Sequence, residues 1–95
     1  RIAQCQDRFA DPDAFAPKSL IVRQLAQRWG SMTPRGNLVL NRALIQASVD
    51  AIDYVITHEL CHLRFPHHGP AFFRLLSRVM PDWEKRKLKL ERQMA

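Results

Sequence analysis

All four histidines of this 95-residue chain fall within the stretch from His58 to His68. His58 and His62 are four residues apart. On an α-helix that spacing puts them about 40° apart around the axis and one turn above each other. Two imidazoles so placed can reach one metal ion. Glu59 falls beside them, about 60° from His62 and 100° from His58. It is close enough to take a proton from a water at the metal, yet not placed to be a ligand. This is the arrangement of the HExxH motif, and it points to metal-assisted hydrolysis with Glu59 as general base.

A catalytic zinc takes three protein ligands and leaves a fourth position to water. The third ligand must come from outside this helical turn, and His67 and His68 are the candidates. Pro66 ends the helix after His62, so the chain can fold back. His68 stands just before "GP", at the start of the next helix, whose apolar stripe would hold it in place. His67 is its loop neighbour and is expected to be exposed. That anchoring favours His68. A closed structural site would instead recruit Cys61, which points about 60° beyond His58 and away from Glu59. Its plainer role is to fill space as a small hydrophobe. The bland alternative to a metal site is a solvated polar edge. It leaves unexplained why the motif sits in a helix with a cap, a stop and an apolar stripe.

The elements that must position these residues are readable around them. Ser48 is an N-cap candidate, and Asp50 lies in the first turn, where the helix dipole favours an acid. Val49, Ile52, Ile56, Leu60 and Leu63 form a stripe at helical spacing. A second helix is expected from Pro70, where proline is tolerated, with Phe72, Leu75, Leu76, Val79 and Met80 as its stripe and Pro81 as its end. Asp82 is placed to cap a third, basic helix carrying Trp83, Leu90 and Met94. Upstream, "RIAQCQDRFA" has Ile2, Cys5 and Phe9 at helical spacing, and "DPDAFAPKS" is a loop. Between them and the metal helix lie two strand candidates, "SLIVRQLAQRW" (with a bulge expected near Gln24 and Leu25) and "NLVLNRALI". The turn residues of "GSMTPRG" would join them as an antiparallel hairpin.

Composition bounds the rest. The length suits one domain. Nearly half the residues are apolar and 25% are charged, as in an ordinary globular domain. No apolar run approaches the eighteen or so residues needed to cross a bilayer. The chain begins with Arg1 rather than Met, which is compatible with a fragment of something longer. Two cysteines are too few for a disulfide framework and fit a reducing, cytoplasmic setting. Neither is part of a CxxC pair, which excludes a cysteine-built zinc finger. The net charge of +6 is spread along the chain without interleaved aromatics, so a solvated basic surface is the plainer reading than a nucleic-acid platform. Arg28 and Trp29 are candidates to line a cleft or simply to end a strand. Asn41 would hold a substrate or fix a turn. Tyr54 would aid an oxyanion or pack.

The segments "RWGSMTPRGNLVLNRALI" and "DAIDYVITHELCHLRFPHHGPAFFRLLSRVMPDWEKRK" resemble the YgjP-type metallopeptidase domain, a bacterial family related to the SprT-like zincins. The likeness covers about residues 18–92. The shared features are an RWGS segment before a strand ending in Asn, an IDYV approach to the HELCH helix, a histidine six positions after His62, and a late MPDW. The resemblance implies that His58, His62 and His68 are zinc ligands and that Glu59 is the base. Position 67, commonly Asn in the family, is not among the ligands. Met32 replaces the cysteine of the usual RWGSC, at a position that is no ligand. Residues 1–17 look shortened or differently built relative to the family.

The expectation is therefore an α+β minimal zincin forming a single domain over residues 1–95. A helix-and-loop lead-in spans 1–17, a strand hairpin 18–47 and a helical metal-binding part 48–95. Its small antiparallel sheet packs on the HExxH helix, and two further helices close the other side. The expected activity is that of a zinc metallopeptidase acting on a protein or peptide substrate, with "NLVLN" as an edge strand able to pair with it. Two alternatives follow from the family. One is a metal-dependent nucleotide phosphoanhydride hydrolase, although no glycine-rich phosphate loop is present. The other is a zinc-dependent nucleic-acid-binding module.

Overall fold

The computed structural model describes residues 1–94. Four α-helices and a three-stranded sheet make it up: α1 (Ile2–Gln6), β1 (Ser19–Arg23), β2 (Gly30–Met32), β3 (Asn37–Asn41), α2 (Val49–Cys61), α3 (Pro70–Val79) and α4 (Trp83–Gln93). Short 3-10 turns at Pro12–Phe15 and Arg42–Gln46 complete the chain. No described helix is long and apolar enough to cross a membrane.

The α+β class is as expected, but the sheet is mixed rather than antiparallel. Strand order is β1-β3-β2, with β1 parallel to β3 and β2 antiparallel to it. The tight hairpin joins β2 to β3, so "GSM" is strand and only Thr33–Gly36 is turn. The Gly36 amide donates to the Thr33 carbonyl at 2.9 Å, and Gly36 has φ +87°. Among the described residues no non-glycine has positive φ, so Arg35 does not, and the turn is type I followed by a left-handed glycine. This turn seats β2 on one side of β3. The other side is left for β1, whose chain then crosses to β2 through Gln24–Trp29. Strand β3 is therefore central, not the edge strand expected of "NLVLN". The "RALI" end of that run leaves the sheet as a 3-10 turn because the Asn41 side chain caps it, accepting from the Ala43 amide at 3.0 Å.

Helix α2 starts where expected. The Ser48 hydroxyl accepts the Ala51 amide at 3.3 Å, an N-cap worth about 1 kcal/mol. It ends at Cys61, and the chain closes through the turn His62–Phe65, whose amides donate to Glu59, Leu60 and Cys61, before Pro66, which cannot continue a helix. The expected stripe is only partly right. Ile56 and Leu60 are buried, but Val49 is exposed, and Ala51, Asp53, Val55, Thr57 and Cys61 are buried as well. The helix is the centre of the molecule, with α1, the sheet, α3 and α4 all packed against it. Burying Ile56 and Leu60 contributes about 1.5–3 kcal/mol each.

The lead-in belongs to this core. Cys5 and Phe9 are buried, and the Arg1 guanidinium pairs with the buried Asp53 carboxylate of α2. Burial alone would raise the Asp53 pKa, but Arg1 outweighs it and holds the carboxyl below its usual range. On α3, Phe72, Leu76, Val79 and Met80 are buried as expected. Asp82 starts α4 without a side-chain cap bond; its carboxylate instead accepts from Arg86 at 3.0 Å.

Candidate metal centre

The last turn of α2 presents His58 and His62 to one side. The chain then turns through Leu63–Gly69 and brings His68 back against them at the start of α3. The Nε2 atoms of His62 and His68 are 2.9 Å apart, and those of His68 and His58 are 3.1 Å apart. These three residues, and no other described group of His, Cys, Asp or Glu, form a set able to hold a metal ion.

The donor chemistry fits a cation. His62 Nδ1 contacts the Phe65 carbonyl at 3.0 Å. A carbonyl can only accept, so Nδ1 carries the proton and the neutral ring turns a bare Nε2 inward. His68 Nε2 holds at most one proton between two neighbours. One proton cannot point along both short contacts at once, so at least one of them lacks a well-directed hydrogen bond, whereas a cation satisfies three bare Nε2 atoms together. The spacings are also near the N···N edge of about 3.3 Å in a tetrahedral site with Zn–N of about 2.0–2.1 Å. Burial, with His62 and His68 adding to it, pushes the His58 pKa down to about 3, so the ring is neutral, as a ligand must be.

Phe72 is the platform of the site. It is fully buried, and its ring centroid lies 5.0, 4.5 and 4.9 Å from those of His58, His62 and His68. Sequence periodicity marks Phe72 only as core. Nothing in the spacing says that one ring underlies all three imidazoles. The Phe65 carbonyl that orients His62 was likewise invisible, because any residue supplies a carbonyl.

Glu59 is 6% exposed, with Oε2 at 3.4 Å from His58 Nδ1. Burial raises its pKa to about 7, against the opposing charge of Arg28. Strand β2 is pressed against it. A Cβ added at Gly30 would lie 3.0 Å from Val55 Cγ1 and 3.2 Å from Glu59 Cγ. A glycine there lets the sheet come this close to Glu59.

The three histidines and Glu59 open onto a cleft of about 910 Å³ between α2 and the β2 hairpin, lined on the sheet side by Lys18, Arg28 and Arg35. Arg28 is thus a cleft residue, whereas Trp29 packs against the core. Asn41 does not face the cleft. Its buried amide donates to the Leu25 and Arg28 carbonyls at 3.1 and 2.7 Å, fixing the loop that carries Arg28. Tyr54 stacks beside His58 at 5.8 Å and, buried, has its pKa pushed up to about 12. It does not line the cleft. His67 is exposed and outside the cluster. Cys61 is fully buried, and its thiol is pushed up to about 12 by burial first and by Glu59 second, so it is a neutral core group.

A family model described as YgjP-like, metallopeptidase domain, matches residues 1–93. The match takes in residues 1–17, the segment the sequence pattern had set apart from the family. The crystal structure of the metallopeptidase zymogen of Pyrococcus abyssi abylysin has the same fold. Its TM-score is 0.73 at 21% identity, over 99% of this chain and 92% of that one. No curated protein sequence matches the chain.

Proposed function

This chain belongs to the YgjP-like metallopeptidase domain family, and on that premise we propose that it is a zinc-dependent peptidase whose ligands are His58, His62 and His68 and whose general base is Glu59. The observation that carries this reading is the convergence of three Nε2 atoms, at 2.9 and 3.1 Å, beside a buried carboxylate. A zinc ion held by His58, His62 and His68 would supply Lewis acidity to a water and to the scissile carbonyl.

The residues of the chain do the rest. Glu59 takes the proton of the attacking water and passes it to the leaving amine. The Phe65 carbonyl and the Phe72 ring keep the imidazoles aimed. The outer edge of β2 is unpaired in the sheet and borders the cleft. An extended substrate can add to it through backbone hydrogen bonds, which give affinity with little sequence preference. That role falls to β2 and not to the central β3.

The test is Glu59→Gln. The variant should keep its metal and its fold and lose hydrolysis of unfolded protein by at least about a hundredfold. Full activity with metal retained would sink the mechanism. A second reading, hydrolysis of a nucleotide phosphoanhydride, gains support from the three cations of the cleft, Lys18, Arg28 and Arg35. Nucleoside triphosphates and unfolded protein assayed side by side, with and without chelator, separate the two.

A further inference from the structure

The catalytic reading leaves a second groove unused. It measures about 560 Å³ and lies on the other side of the loop that follows α2. Leu63, Pro66 and His68 of that loop line the cleft, whereas Arg64 and Phe65 line the groove. Facing them are Arg74 and Arg78, one turn apart on α3, and Arg8 from the turn that follows α1. Four guanidiniums thus share one hollow. Among the described residues none of them makes a salt bridge, including with Asp11, the one carboxylate on the wall. Such a concentration of one sign of charge raises the local concentration of anions. The planar fork of arginine grips carboxylate or phosphate oxygens in pairs.

The floor decides which anion. It is apolar, built from Phe9, Phe15, Phe65, Leu75 and Val79. Phe9 and Phe15 are stacked on each other at 4.1 Å and are only 4% and 6% exposed. They offer no open ring face to a nucleobase, which single-strand sites supply, and Arg64 lies over the ring of Phe65 at 5.9 Å; the apolar surface left to a ligand is that of the half-buried Phe65, Ala71 and Leu75. A greasy floor under a cationic rim matches a peptide that mixes aliphatic with acidic side chains.

We propose that this groove is an exosite that binds an acidic, aliphatic-containing peptide segment of the substrate protein. Calling the bound protein a substrate rests on the peptidase reading; the binding itself does not. Groove and cleft share the walls of one short loop, and an extended chain covers about 3.3 Å per residue. A few residues therefore link a segment held here to one entering the cleft.

Fluorescence anisotropy of the whole protein tests it. The probes are a labelled peptide of alternating Glu and Leu, the same peptide with Gln for Glu, and a single-stranded oligonucleotide of matched charge. The variants are the exposed pair Arg74→Glu/Arg78→Glu and, as a charge-matched control on α4, the exposed pair Lys85→Glu/Arg92→Glu. The acidic peptide should bind more tightly than its Gln counterpart. The groove pair should weaken it by at least about tenfold and the control pair by no more than about twofold. Equal loss in both pairs would mean diffuse charge attraction and would overturn the proposal. Tighter binding of the oligonucleotide with the same arginine dependence would overturn it in favour of a nucleic-acid site. Because binding is measured without turnover, a wild-type protein with no peptidase activity would count against the catalytic reading alone.

Discussion

Gly30→Ala tests how closely the sheet supports the catalytic base. The new methyl would meet Val55 Cγ1 at 3.0 Å, Glu59 Cγ at 3.2 Å and the Val39 carbonyl oxygen at 3.3 Å. Each contact is a few tenths of an ångström too short. The carbonyl belongs to β3, which is paired on both sides, so it cannot give way. The displacement must fall on Val55 and Glu59. Overpacking of this kind costs about 1–3 kcal/mol of stability. A misplacement of a full ångström at a reacting group costs about a hundredfold in rate, so a shift of a few tenths should lower kcat several-fold to about tenfold. Metal content should be unchanged, because no histidine is touched. Thermal melts, peptide hydrolysis and metal analysis on the same preparation give all three readouts. Adding Val55→Ala relieves the shortest contact. The double variant should be more stable than the sum of the singles by about 0.5–3 kcal/mol, while the kcat loss persists through Glu59. Wild-type stability and rate in Gly30→Ala would refute the close packing of β2 on α2.

Other outcomes follow from the same geometry. Phe72→Ala should cost about 3–5 kcal/mol and weaken metal binding together, whereas Phe72→Leu should recover much of the stability and less of the metal affinity; equal recovery of both would deny Phe72 its role as a platform. Asp53 has its folded pKa below the unfolded value of about 3.9, so its stabilisation is present above that pH and is lost as pH falls through the folded value. Arg1→Ala leaves burial opposed only by the weaker effects of Cys5 and Arg8 and should lower the melting temperature near neutral pH, with the gap to wild type closing in acid; a gap independent of pH would contradict the pairing. Cys61→Ala should lose stability by a small cavity effect and keep its full metal content; loss of metal would make the thiol a ligand.

What local rules govern was legible in the sequence. The HELCH spacing, the Ser48 cap, the break before Pro66 and the proline start of α3 each depend on a few neighbouring residues, and all are found. Strand pairing was not legible, because β1 meets β3 across intervening chain and the exposed run "SLIVR" carries no mark of its partner. Asn41 could not be assigned, since its partners are backbone carbonyls of a distant loop. The burial of Asp53 and Thr57, polar residues outside the apolar stripe, cannot be read from α2 alone, because it depends on the lead-in helix packing against α2. The convergence of the three histidines was legible because two of them share a helical turn and the third follows a break that leaves little chain to close. Phe72 and the carbonyl of Phe65 were not, since the site uses them through contact rather than through residue type.

The most direct test of the account is zinc content after exhaustive dialysis, measured by atomic emission on wild type, His68→Ala and His67→Ala. The histidines of α2 and the one at the start of α3 should act as one set, so wild type and His67→Ala should each retain about one zinc per chain, and His68→Ala should lose it. Unchanged metal in His68→Ala, or its loss in His67→Ala, would contradict the central claim that the chain folds back after Pro66 to deliver the third ligand.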